Sequence, residues 1–218
     1  MKKLSGPLKW NEIVGWGVRI ILILALIKDI ISGKLDTIFP IILALLLTFF
    51  PNILEKRFRV YLPSSMQVII ILFIFASEYL GELNGFYYRF WWWDIMLHTT
   101  SGFLLGIVGF MFVYLLNEKY LSVNLSPFFI VLFAFCFAIT MGVFWEFYEF
   151  GMDRFLGFDM QKFRFPGEDG LVDTMTDLIV DTLGALVVSI LGYMYIKEKH
   201  DLFFSKLFSE WFRKDDNR

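Results

Sequence analysis

Long apolar runs, broken by short polar stretches, fill most of this 218-residue chain. Several runs reach roughly 18 residues or more, the length that crosses a bilayer as a helix. The pattern predicts six spans at about 12–32, 36–54, 66–84, 91–116, 126–150 and 170–197. Proline and glycine fall where helices tolerate them. Pro40 sits in the first turn of span two, Pro51 near its end, Pro63 before span three, Pro127 at the start of span five, and Pro166-Gly167 before span six. The expected fold is all-α: a polytopic membrane helix bundle, with 1–197 as a single six-span domain. The chain starts Met-Lys-Lys, as signal peptides do. The apolar run that follows is too long for a signal core and ends in no small-residue cleavage site, so it reads as a retained first span.

Residues 198–218 break the pattern. Phe203, Phe204, Leu207, Phe208, Trp211 and Phe212 recur at helical spacing, with Lys206, Arg213 and Lys214 between them. Such an arrangement suits an amphipathic helix lying on the inner membrane surface. A tail packed on loops or on a partner is the plainer reading. Asp215 to Arg218 read as a frayed end.

Composition agrees with the pattern. The chain is 57% hydrophobic and 20% aromatic, against about 45–50% apolar in ordinary soluble domains. A net charge of −2 suggests no nucleic-acid partner. Cys136 is the only cysteine, which excludes an intrachain disulfide and a thiolate metal cluster. The basic residues set an orientation. With the N-terminus inside, 13 of the 20 Lys and Arg fall on the cytoplasmic side and 6 outside, with Arg19 inside span one. Both termini are then cytoplasmic, and the expected location is a bacterial plasma membrane.

Against this background the ionisable residues inside apolar runs stand out. Asp94 and His98 are spaced i, i+4 at the start of span four. Glu146 and Glu149 are spaced i, i+3 at the end of span five. Asp173, Asp177 and Asp181 are spaced i, i+4, i+8 in the first turns of span six. Each set stacks on one helix face, and all three fall at the outer ends of their spans. Charged groups in lipid are costly and normally face a bundle interior. Glu78, Glu82 and Asp153 extend the same pattern, although each also has access to interfacial water.

So many carboxylates in close quarters require protonation or bound cations. Oxygen-rich ligands with one imidazole suit Mg²⁺, Mn²⁺, Ca²⁺, Zn²⁺ or non-haem iron. The expected metal ligands are Asp94, His98, Glu146, Glu149, Asp173 and Asp177. Asp181, or whichever carboxylate stays unligated, is the expected catalytic base. The layout follows the logic of dinuclear carboxylate proteins without their Glu-x-x-His motif. Single membrane aspartates are often hydrogen-bonded structural residues, so it is the set that points to a site. Arg154, Lys162 and Arg164 lie in the outer loop, where they suit either an anionic phosphate substrate or lipid anchoring. Arg19 reads as snorkelling or pairing with a carboxylate. Tyr87, Tyr88, Trp91, Trp92 and Trp93 read as an interfacial aromatic belt. Gly102-x-x-x-Gly106 and Gly184-Ala185, with Ser189 and Gly192, read as close helix packing. No nucleophile-elbow motif and no phosphate-cradling glycine loop is present.

Taken in order, the motifs W-D-I-M-L-H-T-T-S-G at Trp93–Gly102, F-W-E-F-Y-E at Phe144–Glu149 and D-T-M-T-D-L-I-V-D-T-L-G-A at Asp173–Ala185 resemble the bacterial inner-membrane proteins named for YjdF. More distantly they are similar to the VanZ-like membrane proteins linked to teicoplanin resistance. The resemblance covers about Trp91 to Gly192 and implies some six spans. It carries over Asp94, His98, Glu146, Glu149, Asp173 and Asp177, with Gly184-Ala185 as the closing small pair. Val172 stands where the family often has Trp. Glu149 and Asp181 stand where VanZ-like members tend to have Gln and Asn. The resemblance supplies no reaction.

Three functions fit these residues. The first is a metal-dependent membrane hydrolase or transferase acting on a lipid-linked phosphate or cell-envelope intermediate. The second is a cation or proton-coupled transporter, against which spans one to three offer no inverted copy of the acidic motifs. The third is a structural or regulatory protein whose acids pair with Arg19, Arg89 and Arg154. Membrane lipid is the expected partner, and the sequence fixes no oligomeric state.

Overall fold

The computed structural model describes residues 9–35, 37–58, 62–119, 124–162, 167 and 169–198. Arg164, Pro166, His200 and the amphipathic tail lie outside the described residues. Among the described residues every regular element is helical. Among the described residues, Ser64–Leu83, Trp93–Tyr114, Pro127–Leu156 and Gly170–Lys197 are long and apolar enough to cross a membrane. Ile38–Leu47 and Phe50–Arg57 make a fifth if that bent pair is one span. Trp10–Ile31 is 22 residues long and is not among these. The chain is a polytopic membrane protein, and it falls into two compact units that divide at Phe86 and Tyr87.

The first unit holds helices α1 (Trp10–Ile31), α2 (Ile38–Leu47), α3 (Phe50–Phe58) and α4 (Ser64–Ile74). Val18, Leu22, Ile41, Ala44 and Ile71 form its core. Two elements depart from the sequence pattern. The second run is not one straight helix, because α2 and α3 meet at a 40° bend. Pro51 has no N–H to continue the ladder, and its ring crowds the carbonyl four residues back. Also, α4 continues as a π-helical segment, Phe75–Leu83, which carries Glu78 and Glu82. Wide turns of this kind are rare and recur at functional places.

The second unit opens with the short α5 (Phe86–Arg89) and is built on α6 (Trp93–Lys119), α7 (Pro127–Leu156) and α8 (Gly170–Glu198). Each of the three long helices packs on the other two. Ser126 caps α7 by accepting from Phe129 N at 3.3 Å, and Pro127 follows at a position where no N–H is needed. The helix runs past the apolar stretch that predicted it and stops at Gly157, whose φ of 70° is left-handed. Phe110, Val113, Ile130, Val131 and Ala134 form the core away from the acids. Phe128, Phe144, Phe147, Ile179 and Leu183 are exposed, while all six acids of the expected ligand and base set are buried. That inside-out distribution is what a lipid environment selects. In the aromatic belt, Trp91 and Trp92 are exposed as expected. Trp93 is buried instead, because it starts α6 on the inward face, against the rings of Phe90 and Trp92.

Asp153 serves the loop after α7. Its two carboxylate oxygens accept from the backbone N–H groups of Met160 at 2.6 Å and Gln161 at 2.9 Å. Gln161 in turn donates to Gly170 O and Thr174 Oγ1, fixing the loop to the start of α8. Removing a charged acceptor of this type costs about 1.5–3 kcal/mol per bond. Asp153→Ala is therefore expected to raise hydrogen exchange at Met160 and Gln161 at least tenfold, as ~1.4 kcal/mol implies. The acids of the bundle should keep their arrangement. Unchanged exchange would contradict this role.

Candidate metal centre

The site grows from the α6–α8 crossing. A Cβ on Gly102 would lie 2.2 Å from Asp181 O, and one on Gly184 would lie 2.2 Å from Thr99 O. The two backbones therefore touch, which only glycine permits at these positions. The contact brings the Asp94–His98 face of α6 against the Asp177–Asp181 face of α8.

His98 lies between three carboxylates. Its Nε2 stands 3.7 Å from Asp94 Oδ1 and 3.8 Å from Asp177 Oδ2. Its Nδ1 stands 3.4 Å from Asp181 Oδ2. Asp181 Oδ1 also accepts from the Ser101 hydroxyl at 2.6 Å. The two ring nitrogens thus face different partners: Nε2 an open pair of carboxylates, Nδ1 a carboxylate already fixed by a hydroxyl. All four residues are buried, Asp177 completely.

From α7, Glu146 and Glu149 lie within electrostatic reach of His98 and Asp94. Glu149 Oε1 accepts from Trp145 Nε1 at 2.8 Å. Both Glu146 oxygens are enclosed, with Thr174 of α8 as the neighbouring hydroxyl. Gly142 lets α7 come close, since a Cβ there would lie 2.8 Å from Asp181 Oδ2. Asp173 is also buried, one turn before Asp177. Six carboxylates and one imidazole thus share the interior of a single three-helix unit. Buried charges of one sign are strongly unfavourable without compensation.

One ligand atom from each of Asp94, His98 and Asp177 lies within 4.8 Å of the others. About 3.4 Å separates ligand atoms in a tetrahedral site with bonds of roughly 2.1 Å; the two His98 distances are near that value, and the full set, within 4.8 Å, could hold one cation after closing in by up to about 1.4 Å. Two carboxylates and an imidazole suit Zn²⁺, Mn²⁺ or Fe²⁺ better than the all-oxygen Mg²⁺ or Ca²⁺. Three protein ligands leave a coordination position open, the pattern of catalytic rather than structural sites.

A family model described as predicted membrane protein (DUF2238) matches residues 14–198. The chain belongs to this family. The DUF2238 match covers both units. An uncharacterized protein of Thermotoga maritima is 30% identical over 132 residues, which are 60% of this chain. The chain spans about 63% of the length of that relative. No solved structure matches.

The remaining expected residues divide. Arg154 is exposed in the last turn of α7. Lys162 is buried; its ammonium donates to the Asp159 carbonyl and lies 5.7 and 5.4 Å from the Tyr87 and Tyr88 rings. It is held within the loop, while Arg164 lies outside the described residues. Glu78 and Glu82 belong to the first unit. Ser101, Trp145 and Gly142 were not singled out from the sequence. Ser101 lies three residues after His98, a helical neighbour, which is the one signal that pointed to it.

Proposed function

We propose that this DUF2238 protein is a metal-dependent membrane enzyme whose divalent cation is held by Asp94 Oδ1, His98 Nε2 and Asp177 Oδ2. The observation that carries the reading is the division of His98. A ligating histidine usually donates its second N–H to a carboxylate, which fixes its tautomer and orientation. Asp181, backed by Ser101, occupies that place. Asp181 is therefore the orienting residue, and the general-base role expected for it passes to Glu146, an enclosed carboxylate on α7 within electrostatic reach of His98. Glu149 and Asp173 add negative charge that favours cation binding. A bound cation would polarise a phosphoryl oxygen or acidify water.

On the six-span reading of the sequence, the charge pattern of the loops favours cytoplasmic termini and a site near the outer face. A site of that kind, reached from lipid and with Arg154, Lys162 and Arg164 nearby in sequence, suits a lipid-linked phosphate or related cell-envelope intermediate. The resemblance to YjdF-like and VanZ-like proteins supports a bacterial inner-membrane setting. The test is phosphate release from a polyprenyl phosphate by the purified protein. Release that needs Mn²⁺ or Zn²⁺, stops with chelator, and falls by about 10²-fold or more in Glu146→Gln, the usual worth of a general base, is the expected result. Metal-bound protein with no turnover of any lipid phosphate would refute the enzymatic reading.

A second reading has one observation in its favour. Three carboxylates within 3.4–3.8 Å of one imidazole also make an exchangeable proton site. Proton-coupled cation flux in liposomes, lost in His98→Gln and without phosphate release, would favour transport.

A further inference from the structure

The first unit holds a buried cation that the metal centre does not use. Arg19 is only 6% exposed. Its head group is enclosed rather than extended to water or, among the described residues, paired with a carboxylate, the two readings its sequence position offered. Its Nε donates to Thr48 Oγ1 at 3.1 Å and its Nη2 to Thr48 O at 2.9 Å. Thr48 lies between the end of α2 and the start of α3, and its carbonyl accepts from Arg19 there. The guanidinium also lies 4.0 Å from the Phe49 ring centroid and 5.2 Å from that of Trp16. Among the described residues no acid lies within ion-pair distance of it.

The charge is only partly met. The carbonyl end of a helix offers roughly half an elementary charge, and aromatic faces add a weaker attraction. Nη1 donates to no acceptor among the described residues. It faces Gly15, where an added Cβ would lie 3.4 Å away. Thr48 and the rings therefore hold one edge of a planar fork and leave Nη1 without a hydrogen bond among the described residues. Arg is the side chain best suited to binding an oxyanion.

We propose that Arg19 binds an oxyanion of phosphate type through Nη1, with Thr48 and Phe49 holding the guanidinium in place. The proposal is independent of the metal centre. The phosphate could belong to a phospholipid headgroup or be free in solution, and the test separates the two. The full chain, purified in detergent, is examined by native mass spectrometry after exposure to phosphatidylglycerol, and by thermal shift against inorganic phosphate. Arg19→Met removes the charge. Arg19→Lys keeps the charge but loses the fork, and it carries the test if Arg19→Met does not fold.

Retention of phosphatidylglycerol by the wild type, weakened at least tenfold in the variants, assigns a lipid headgroup. Such a drop corresponds to losing one charged hydrogen-bonding partner. Stabilisation by inorganic phosphate without lipid retention, again lost in the variants, assigns a free anion. Equal retention and equal stabilisation in the wild type and a folded Arg19→Lys would overturn the proposal, as would the absence of both effects in the wild type.

Discussion

Gly184→Ala is expected to abolish the folded second unit or leave it barely stable. The methyl group would lie 2.2 Å from Thr99 O and 2.8 Å from Phe103 N, far inside the roughly 3.5–4.0 Å at which non-bonded atoms rest. Both obstacles are backbone of α6, so no side-chain rotation relieves the clash. Overpacking in a well-fitted interior costs about 1–3 kcal/mol when side chains can yield, and here they cannot. Gly102→Ala meets Asp181 backbone at 2.2 Å and should behave alike. Gly151→Ala is the control, since nothing lies near its added Cβ. Thermal denaturation in detergent measures all three. Wild-type stability in Gly184→Ala would mean that α6 and α8 do not cross as described. The fault would also reach the site, because Asp94 and His98 sit on one of these helices and Asp177 and Asp181 on the other.

Asp177→Asn should change stability in opposite directions with and without metal. Asp177 is completely buried among other acids. With chelator present, neutralising it removes a buried like charge and should raise the melting temperature. With Mn²⁺ or Zn²⁺ present, the wild type gains RT ln(1 + [L]/Kd), which is about 2.7 kcal/mol at a hundredfold excess over Kd. The variant loses most of that gain, so the order reverses. Asp181→Asn should fall between them. Outer-shell partners typically cost 10–100-fold in metal affinity, and a direct ligand should cost more than about 100-fold. Melting curves with and without metal, on all three proteins, read out the sign. A variant that is destabilised under both conditions would mark Asp177 as a hydrogen-bonded structural residue.

Much of this was legible from residue spacing. The i, i+4 and i, i+3 sets put their acids on single helix faces, and the apolar runs around them required those faces to turn inward. Spacing and hydropathy together single out Asp94, His98, Glu146, Glu149, Asp173, Asp177 and Asp181. They do not rank these residues. Asp177 and Asp181 share one face and differ by one turn, yet one faces Nε2 of His98 and the other Nδ1. Which ring nitrogen meets which acid is set by the tertiary contacts of His98 with Asp177 and Asp181 of α8, which periodicity does not encode. The glycines read as packing residues, and the structure agrees, but their spacing did not say that backbone meets backbone beside the site. The first unit was less legible. Hydropathy averages over the Thr48–Phe49 break, so one run concealed two helices. It is equally blind to the π-helical turn at Phe75–Leu83. Arg19 had no visible partner in sequence because its main acceptor, the Thr48 carbonyl, is a backbone group between α2 and α3.

The measurement that bears most directly on the central claim is elemental analysis of the purified wild type in detergent, after reloading with Mn²⁺, Zn²⁺ or Fe²⁺ and removal of excess metal, beside a folded Asp177→Asn. Stoichiometric divalent metal is expected in the wild type and little in the variant. Wild-type protein that retains no metal after each reloading, or a variant that retains as much, would contradict a metal centre at Asp94, His98 and Asp177.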